Sequence, residues 1–184
     1  MSLAAIQKKA KAKPSIVIIY GPSGLGKTTL AVGSKNPIVL QTEEGLGILT
    51  NNRDIPHFPL SKDYDTFYGY LKALVDADEL EYNTLVIDSL DWLEPLIHAK
   101  TCETHKQPSI ESFGYGRGYN EALKYWREVL DLVNRLRNEK KMRIVMIAHN
   151  QIKAFHDPST EAYDRHELKM HKAASALVLE ASDM

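Results

Sequence analysis

The sequence predicts one α/β domain with a mostly parallel sheet flanked by helices. Short β-branched apolar runs alternate with helical patterns, as they do in βαβ units. The runs are apolar throughout, which is typical of strands that helices cover on both faces. The length of 184 residues, with 43% hydrophobic and 26% charged residues, suits one core and leaves no room for a second.

The elements follow from the local patterns in order. Continuous apolar runs predict strands at 15–20, 36–41, 84–88 and 143–148, with a shorter strand-like piece near 167–170. Apolar spacings of three and four residues predict helices at 63–77, 90–104, 119–141 and 173–181, and a further helix begins at Lys27. We expect loops at 51–62 and 107–118, a polar segment at 153–164, and both Trp92 and Trp126 in the core.

Composition excludes several classes of protein. The net charge of −1 argues against a surface that binds nucleic acid everywhere, so any such contact is local. No apolar run reaches the ~20 residues that cross a bilayer, so we expect no membrane partner. A single cysteine, Cys102, and the absence of a signal peptide predict a cytoplasmic protein. The lysine-rich residues 1–13 predict a frayed tail, or else a basic arm on phosphates.

A glycine-rich turn lies between the first strand and the helix that begins at Lys27. Its sequence, G-P-S-G-L-G-K-T, fits the phosphate-binding P-loop, in which glycines turn backbone N–H groups toward phosphate oxygens. Lys27 is then the β- and γ-phosphate ligand and Thr28 a Mg²⁺ ligand. The predicted nucleotide-binding residues are Gly21, Pro22, Ser23, Gly24, Leu25, Gly26, Lys27, Thr28 and Thr29.

Carboxylates follow two of the predicted strands. Asp88 ends the run T-L-V-I-D, where it would hold Mg²⁺ through water; the alternative is a cap on the next helix. Because Ser89 follows it, the base that activates water must come from another strand. Glu43 is the first choice and Glu44 the second, and the alternative is a pair of solvated loop acids.

Polar residues also follow the strand at 143–148. Gln151 and His149 are predicted to contact the γ-phosphate, although His149 fits a hydrogen-bonded histidine at the core edge equally well.

Two further segments mix basic and aromatic residues, the combination that binds single-stranded nucleic acid. By composition alone, residues 153–172 are better explained as a solvated loop and hairpin. Residues 107–118 fit a flexible loop that orders on a ligand and a long connection about equally well. The candidate DNA contacts are Phe113, Tyr115, Arg117, Lys153, Phe155 and Arg165.

The motifs G-P-S-G-L-G-K-T, L-Q-T-E, L-V-I-D-S and H-N-Q-I-K occur in the order found in RecA proteins. The sequence resembles small phage-encoded RecA-like P-loop ATPases, some of which are single-strand annealing recombinases. The resemblance implies a catalytic Glu43, an Asp88–Ser89 Walker B pair, and an Asn150–Gln151 pair that opens a second DNA loop.

The resemblance also implies ATP and Mg²⁺ as cofactors, single-stranded DNA and a homo-oligomeric ring or filament as partners, and a bacterial host cell as location. We expect residues 14–184 to be a RecA-like ATP-binding domain that lacks the family's C-terminal strands. The basic residue that reaches across the subunit interface in RecA has no counterpart in the sequence.

Three functions stay open from the sequence. The first is a DNA-stimulated ATPase of recombination, annealing or repair. The second is a P-loop kinase of a small substrate. Such kinases usually have a lid with several arginines, and the loop at 107–118 contains one, Arg117. The third is a nucleotide-binding switch that does not hydrolyse ATP.

Overall fold

The computed structural model describes residues 12–47, 54–155 and 163–184. Strands and helices alternate along most of the chain, as the sequence predicts. In order they are β1 (Ile16–Gly21), α1 (Lys27–Val32), β2 (Pro37–Gln41), α2 (Tyr64–Asp76), β3 (Thr84–Asp88), α3 (Leu90–His105), a 3-10 turn (Ile110–Phe113), α4 (Arg117–Asn138), β4 (Arg143–Phe155), β5 (Tyr163–Leu168) and α5 (Lys172–Ala181).

The described strands form one sheet in the order β1-β4-β3-β2. All three pairings on this path are parallel, and their register aligns the carboxyl ends: Gly21 lies opposite His149, Ile147 opposite Asp88, and Asp88 opposite Gln41. β5 pairs antiparallel with the outer part of β4. Polar residues that follow different strands therefore meet at one edge of the sheet.

Helices cover both faces of the sheet. Buried side chains on one face pack with α2, α3 and α4, and the fully buried members include Phe67, Ile97 and Trp126. On the other face, Ala31 and Val32 of α1 pack with strand valines. This two-sided burial explains why the strand sequences are apolar at consecutive positions.

Three sequence predictions differ from the structure. β4 runs on to Phe155 rather than ending at residue 148, because its outer half pairs with β5 in a hairpin, the arrangement that composition favours for this segment. Residues 107–118 contain the 3-10 turn and the start of α4, since buried Ile110 packs against Gly118. Trp92 is 51% exposed, because the buried positions of α3 are Leu90, Leu93, Glu94, Ile97 and Thr101, and position 92 faces away from them.

The last described residues pack against β1, the strand at the edge of the sheet. Asp183 N–H donates to the Ile16 carbonyl, and Ile18 N–H donates to the Met184 carbonyl, both at 2.9 Å. The Asp183 carboxylate also accepts from Arg137 at 2.7 Å, which fixes this segment to α4. Within the described ranges, no helix is long and apolar enough to cross a bilayer.

Candidate nucleotide-binding site

A cleft of about 350 Å³ opens at the carboxyl ends of the parallel strands. Residues that follow β1 and β2 contribute to it, together with Asp88 at the end of β3 and His149 within β4. Its lining is Ser23, Gly24, Gly26, Lys27, Thr28, Thr29, Glu43, Glu44, Gly45, Asp88 and His149. The parallel sheet thus brings together most of the predicted site residues, although they are distant in the chain.

The P-loop joins β1 to α1 and has the backbone shape that phosphate binding requires. Gly24 and Gly26 have φ values of 78° and 83°, which L side chains rarely adopt, and Gly26 is the N-cap of α1. Lys27 is only 7% exposed, and its ammonium donates to the carbonyls of Gly21 and Pro22 at 3.0 and 2.8 Å. The charge is held inside the loop, beside the position at which phosphate oxygens would lie.

Asp88 and Thr28 form the oxygen-rich part of the cleft. The Thr28 hydroxyl donates to Asp88 Oδ2 at 2.7 Å. Burial raises the pKa of the Asp88 carboxyl and nearby Glu43 adds to this, whereas Thr28, His149 and Lys27 lower it. A divalent cation would favour the ionised carboxylate.

Hydroxyl and carboxylate oxygens are the ligands that Mg²⁺ prefers, so Thr28 and Asp88 fit this ion. The described residues contain no cluster of three or more histidine, cysteine or acidic groups that could hold a metal ion.

Asp88 does not cap the following helix. The N-cap position of α3 belongs to Ser89, whose side chain makes no capping bond. The Ser89 hydroxyl instead donates to Glu43 Oε2 at 3.2 Å. The peptide bond between Asp88 and Ser89 is cis.

Thr42 joins the ends of β2 and β3, a role that no motif in the sequence predicts. Its hydroxyl accepts from Ser89 N–H at 2.9 Å and donates to the Ser89 carbonyl at 2.7 Å, and its own N–H donates to the Asp88 carbonyl at 2.7 Å. These bonds fix the chain directly before Glu43. The Glu43 side chain is 30% exposed and lies in the cleft, as a group that contacts water and a ligand would.

His149 lines the cleft, and Asp91, which does not line it, holds His149 in place. Asp91 Oδ1 accepts from His149 N–H, and Asp91 Oδ2 contacts His149 Nδ1, both at 2.9 Å. The same ring nitrogen lies 3.9 Å from Glu43 Oε2. Asp91 is not among the residues predicted from the sequence, where its only signal is that it is a second acid three positions after Asp88.

Several predicted residues lie outside the cleft lining. Leu25 is 69% exposed on the loop surface, and Gly21 and Pro22 contribute carbonyls to Lys27. The Gln151 amide donates to the Leu168 carbonyl at 3.1 Å across the hairpin, so it is committed to the β4–β5 pairing rather than directed at the phosphate site.

The candidate DNA residues occupy two separate elements. Tyr115 is fully exposed in the turn before α4, and Arg117 begins that helix. The Phe113 ring packs edge-on to the His105 ring at 5.3 Å, so it is partly engaged within the protein.

On the hairpin, Lys153 pairs with Glu167 at 3.3 Å. Arg165 is exposed opposite Lys153, and Phe155 ends β4. Within the predicted tail, residues 1–11 lie outside the described residues, as do residues 156–162 of the predicted polar segment.

Comparison with known proteins agrees with this geometry. The family described as AAA domain matches residues 13–184. The chain belongs to this family. It is 24% identical over 173 residues to the SPbeta prophage-derived uncharacterized protein YorG of Bacillus subtilis (strain 168). That match covers 92% of the chain and 49% of YorG, so the AAA domain spans about half the length of this relative.

The crystal structure of the RadB recombinase shares the fold. It superposes with a TM-score of 0.50 at 16% identity, over 82% of this chain and 66% of that one. The predicted fold class is therefore confirmed: the AAA domain is an α/β P-loop NTPase with a RecA-like core and a mostly parallel sheet flanked by helices.

Proposed function

We propose that the protein is a Mg-ATP-dependent ATPase of the RecA type that acts on single-stranded DNA in recombination, annealing or repair. One observation carries the proposal: Lys27, Thr28, Asp88 and Glu43 line the same cleft. These are a phosphate-binding ammonium, two oxygen ligands for Mg²⁺ and a separate carboxylate for water. A site that only binds nucleotide has no need of the last group.

The proposed chemistry is in-line attack of water on the γ-phosphate. Glu43 accepts a hydrogen bond from the water and orients it, while Ser89 and Thr42 hold the chain that carries it. Lys27 and the P-loop N–H groups stabilise the charge on the phosphate oxygens. Bound Mg²⁺, held by Thr28 and by Asp88 through water, would neutralise phosphate charge. Most of the rate enhancement then comes from positioning and charge stabilisation.

Action on DNA is supported by the hairpin that β4 and β5 form beside the cleft. Lys153 and Arg165 face each other across it, and Phe155 and Tyr163 pair at its outer end. Cations that neutralise phosphates and rings that stack on bases favour single strands. With a net charge of −1, one chain is a weak DNA binder, so a homo-oligomeric ring or filament would supply the missing contacts.

ATP hydrolysis with and without single-stranded DNA tests the proposal. We expect Mg-dependent release of phosphate that rises with single-stranded DNA and falls back at high salt. Hydrolysis that DNA does not change, with no DNA binding at low salt, would reject the recombination role and keep the ATPase. Phosphate transfer that requires a small acceptor would indicate a kinase, and binding without turnover would indicate a switch.

A further inference from the structure

His149 is the residue at which β4 changes partners. Up to His149 the strand pairs parallel with β1, and from Asn150 onward it pairs antiparallel with β5. The carbonyl of His149 also accepts from Lys169 N–H at 2.9 Å, just beyond the end of β5. His149 is therefore the base of the hairpin as well as part of the cleft wall.

One buried carboxylate holds both the backbone and the ring of this residue. The Asp91 side chain is 3% exposed, and its two oxygens bond to His149 N–H and to His149 Nδ1. Removing a carboxylate from water costs several kcal/mol, and the two bonds to His149 offset part of that cost. An acid near the N-terminus of a helix stabilises the helix dipole even when it is exposed to solvent. That role alone therefore does not explain why Asp91 is buried.

The same helix holds the other end of the hairpin segment. Glu94, one turn after Asp91 on α3, is 8% exposed, and both its carboxyl oxygens accept from His171 N–H at 3.0 Å. Residues 149 and 171 are thus bonded to neighbouring acids of α3. The chain between them leaves and rejoins the fold at fixed points.

We propose that Asp91 is a positioning residue of the nucleotide site: its carboxylate fixes the orientation and tautomer of His149 and so couples the cleft to the β4–β5 hairpin. The inference rests on the proposed function for its catalytic consequence. A carboxylate only accepts, so Nδ1 donates and Nε2 is the ring nitrogen with a lone pair for a ligand in the cleft. A shift of the ring toward a bound nucleotide would pull on the backbone bond at the hairpin base.

The tautomer of His149 is the first test, and it needs no enzymatic activity. Long-range ¹H–¹⁵N spectra of histidine-labelled protein distinguish the two neutral forms, and His149→Gln assigns the signal. We expect a protonated Nδ1 in the wild type. In Asp91→Asn, where an amide N–H can face the ring, we expect a protonated Nε2. A wild-type ring protonated on Nε2 alone would overturn the inference, even if Asp91→Asn failed to fold.

Kinetics and hydrogen exchange test the coupling, with Glu103→Gln as the matched control because Glu103 lies on the same helix with a 73% exposed side chain. We expect Asp91→Asn to lower kcat about tenfold or more with little change in the KM for ATP, as outer groups that orient a ligand do. A non-hydrolysable ATP analogue should alter amide exchange in residues 150–155 and 163–168 of the wild type and the control, but not of Asp91→Asn.

These outcomes separate the inference from the proposed function. A wild type that hydrolyses no ATP would refute the proposed function and leave the tautomer and exchange measurements readable. An Asp91→Asn variant with wild-type kcat and a wild-type exchange response would refute the inference alone.

Discussion

The ammonium of Lys27 is turned inward, since it donates to two carbonyls of its own loop. The loop has the curvature that a phosphate needs, and the lysine can exchange carbonyl partners for phosphate oxygens. Truncating it to Lys27→Ala leaves phosphate charge unpaired in a partly buried cleft. We expect binding of a fluorescent ATP analogue to weaken by about 2–5 kcal/mol.

Lys35→Ala is the matched control for that measurement, because Lys35 is exposed and lies outside the cleft lining. Unchanged affinity in Lys27→Ala would refute the assignment of the P-loop.

Glu43 and Glu44 are adjacent and both line the cleft, which makes them a natural pair for testing the base. Only Glu43 is tied to the β3 end, through the hydrogen bond from Ser89. We expect Glu43→Gln to lower kcat by about 10²–10⁴ with ATP affinity retained, because the amide cannot take a proton from water.

Glu44→Gln should stay close to the wild type in the same phosphate-release assay. The reverse pattern would move the role to Glu44, and two fully active variants would favour a base elsewhere.

Among individual residues, the sequence predicted those that stand in recognisable motifs or at strand ends. It could not predict Asp91 or Thr42. Both are short polar residues near element ends, where helix caps and solvated turns are the usual explanation. Their partners, His149 and Ser89, are 58 and 47 positions away, and no local pattern encodes such distances.

The join between the 3-10 turn and α4 depends on a residue without a side chain. A Cβ on Gly118 would lie 2.3 Å from the Ile110 carbonyl oxygen and 2.9 Å from the Phe113 ring. We expect Gly118→Ala to lower the free energy of unfolding by about 1–3 kcal/mol in urea titrations, because backbone must move to admit the methyl group.

Gly69 offers the opposite case within α2. It is exposed, and a Cβ there has nothing within 4 Å. Gly69→Ala should therefore stabilise the protein by about 0.5–1 kcal/mol through helix propensity. Equal effects of the two substitutions would show that the close approach at Gly118 is not maintained in solution.

Among the elements, strands buried on both faces and strongly amphipathic helices could be predicted, whereas the long β4 could not. Its inner half is apolar, but its outer half, N-Q-I-K-A-F, is polar and pairs only with β5. Its strand conformation comes from a distant partner rather than from local hydrophobicity. The start of α4 could not be predicted for the same reason, because it depends on packing against Ile110.

Across the whole molecule, Glu94 makes stability depend on pH. Burial raises the pKa of its carboxyl to about 7, the His171 N–H lowers it, and the charge of Asp91 raises it. Tyr119, whose ring stacks on the His171 ring, faces it from α4. The native state thus holds a proton more tightly than the unfolded chain between about pH 4.5 and 7, and stability falls as pH rises through that window.

Glu94→Gln removes this dependence and keeps an acceptor for His171. Relative to the wild type, its free energy of unfolding should improve by about 1–3 kcal/mol between pH 5 and pH 8, measured by urea titration. Glu103→Gln, at the exposed end of the same helix, should show no such trend. A pH-independent difference for Glu94→Gln would mean that the buried carboxyl titrates alike in both states.

The strand order has a consequence for folding during synthesis. β1, made first, is completed by β4, made last among the parallel strands, while β2 lies at the far side of the sheet. A nascent chain that has emerged as far as Asp88 contains the whole P-loop, yet it lacks β4, the strand that pairs with β1. We therefore expect nucleotide to bind only the finished domain and to act as a late stabiliser, worth about 2.7 kcal/mol at a hundredfold excess over Kd.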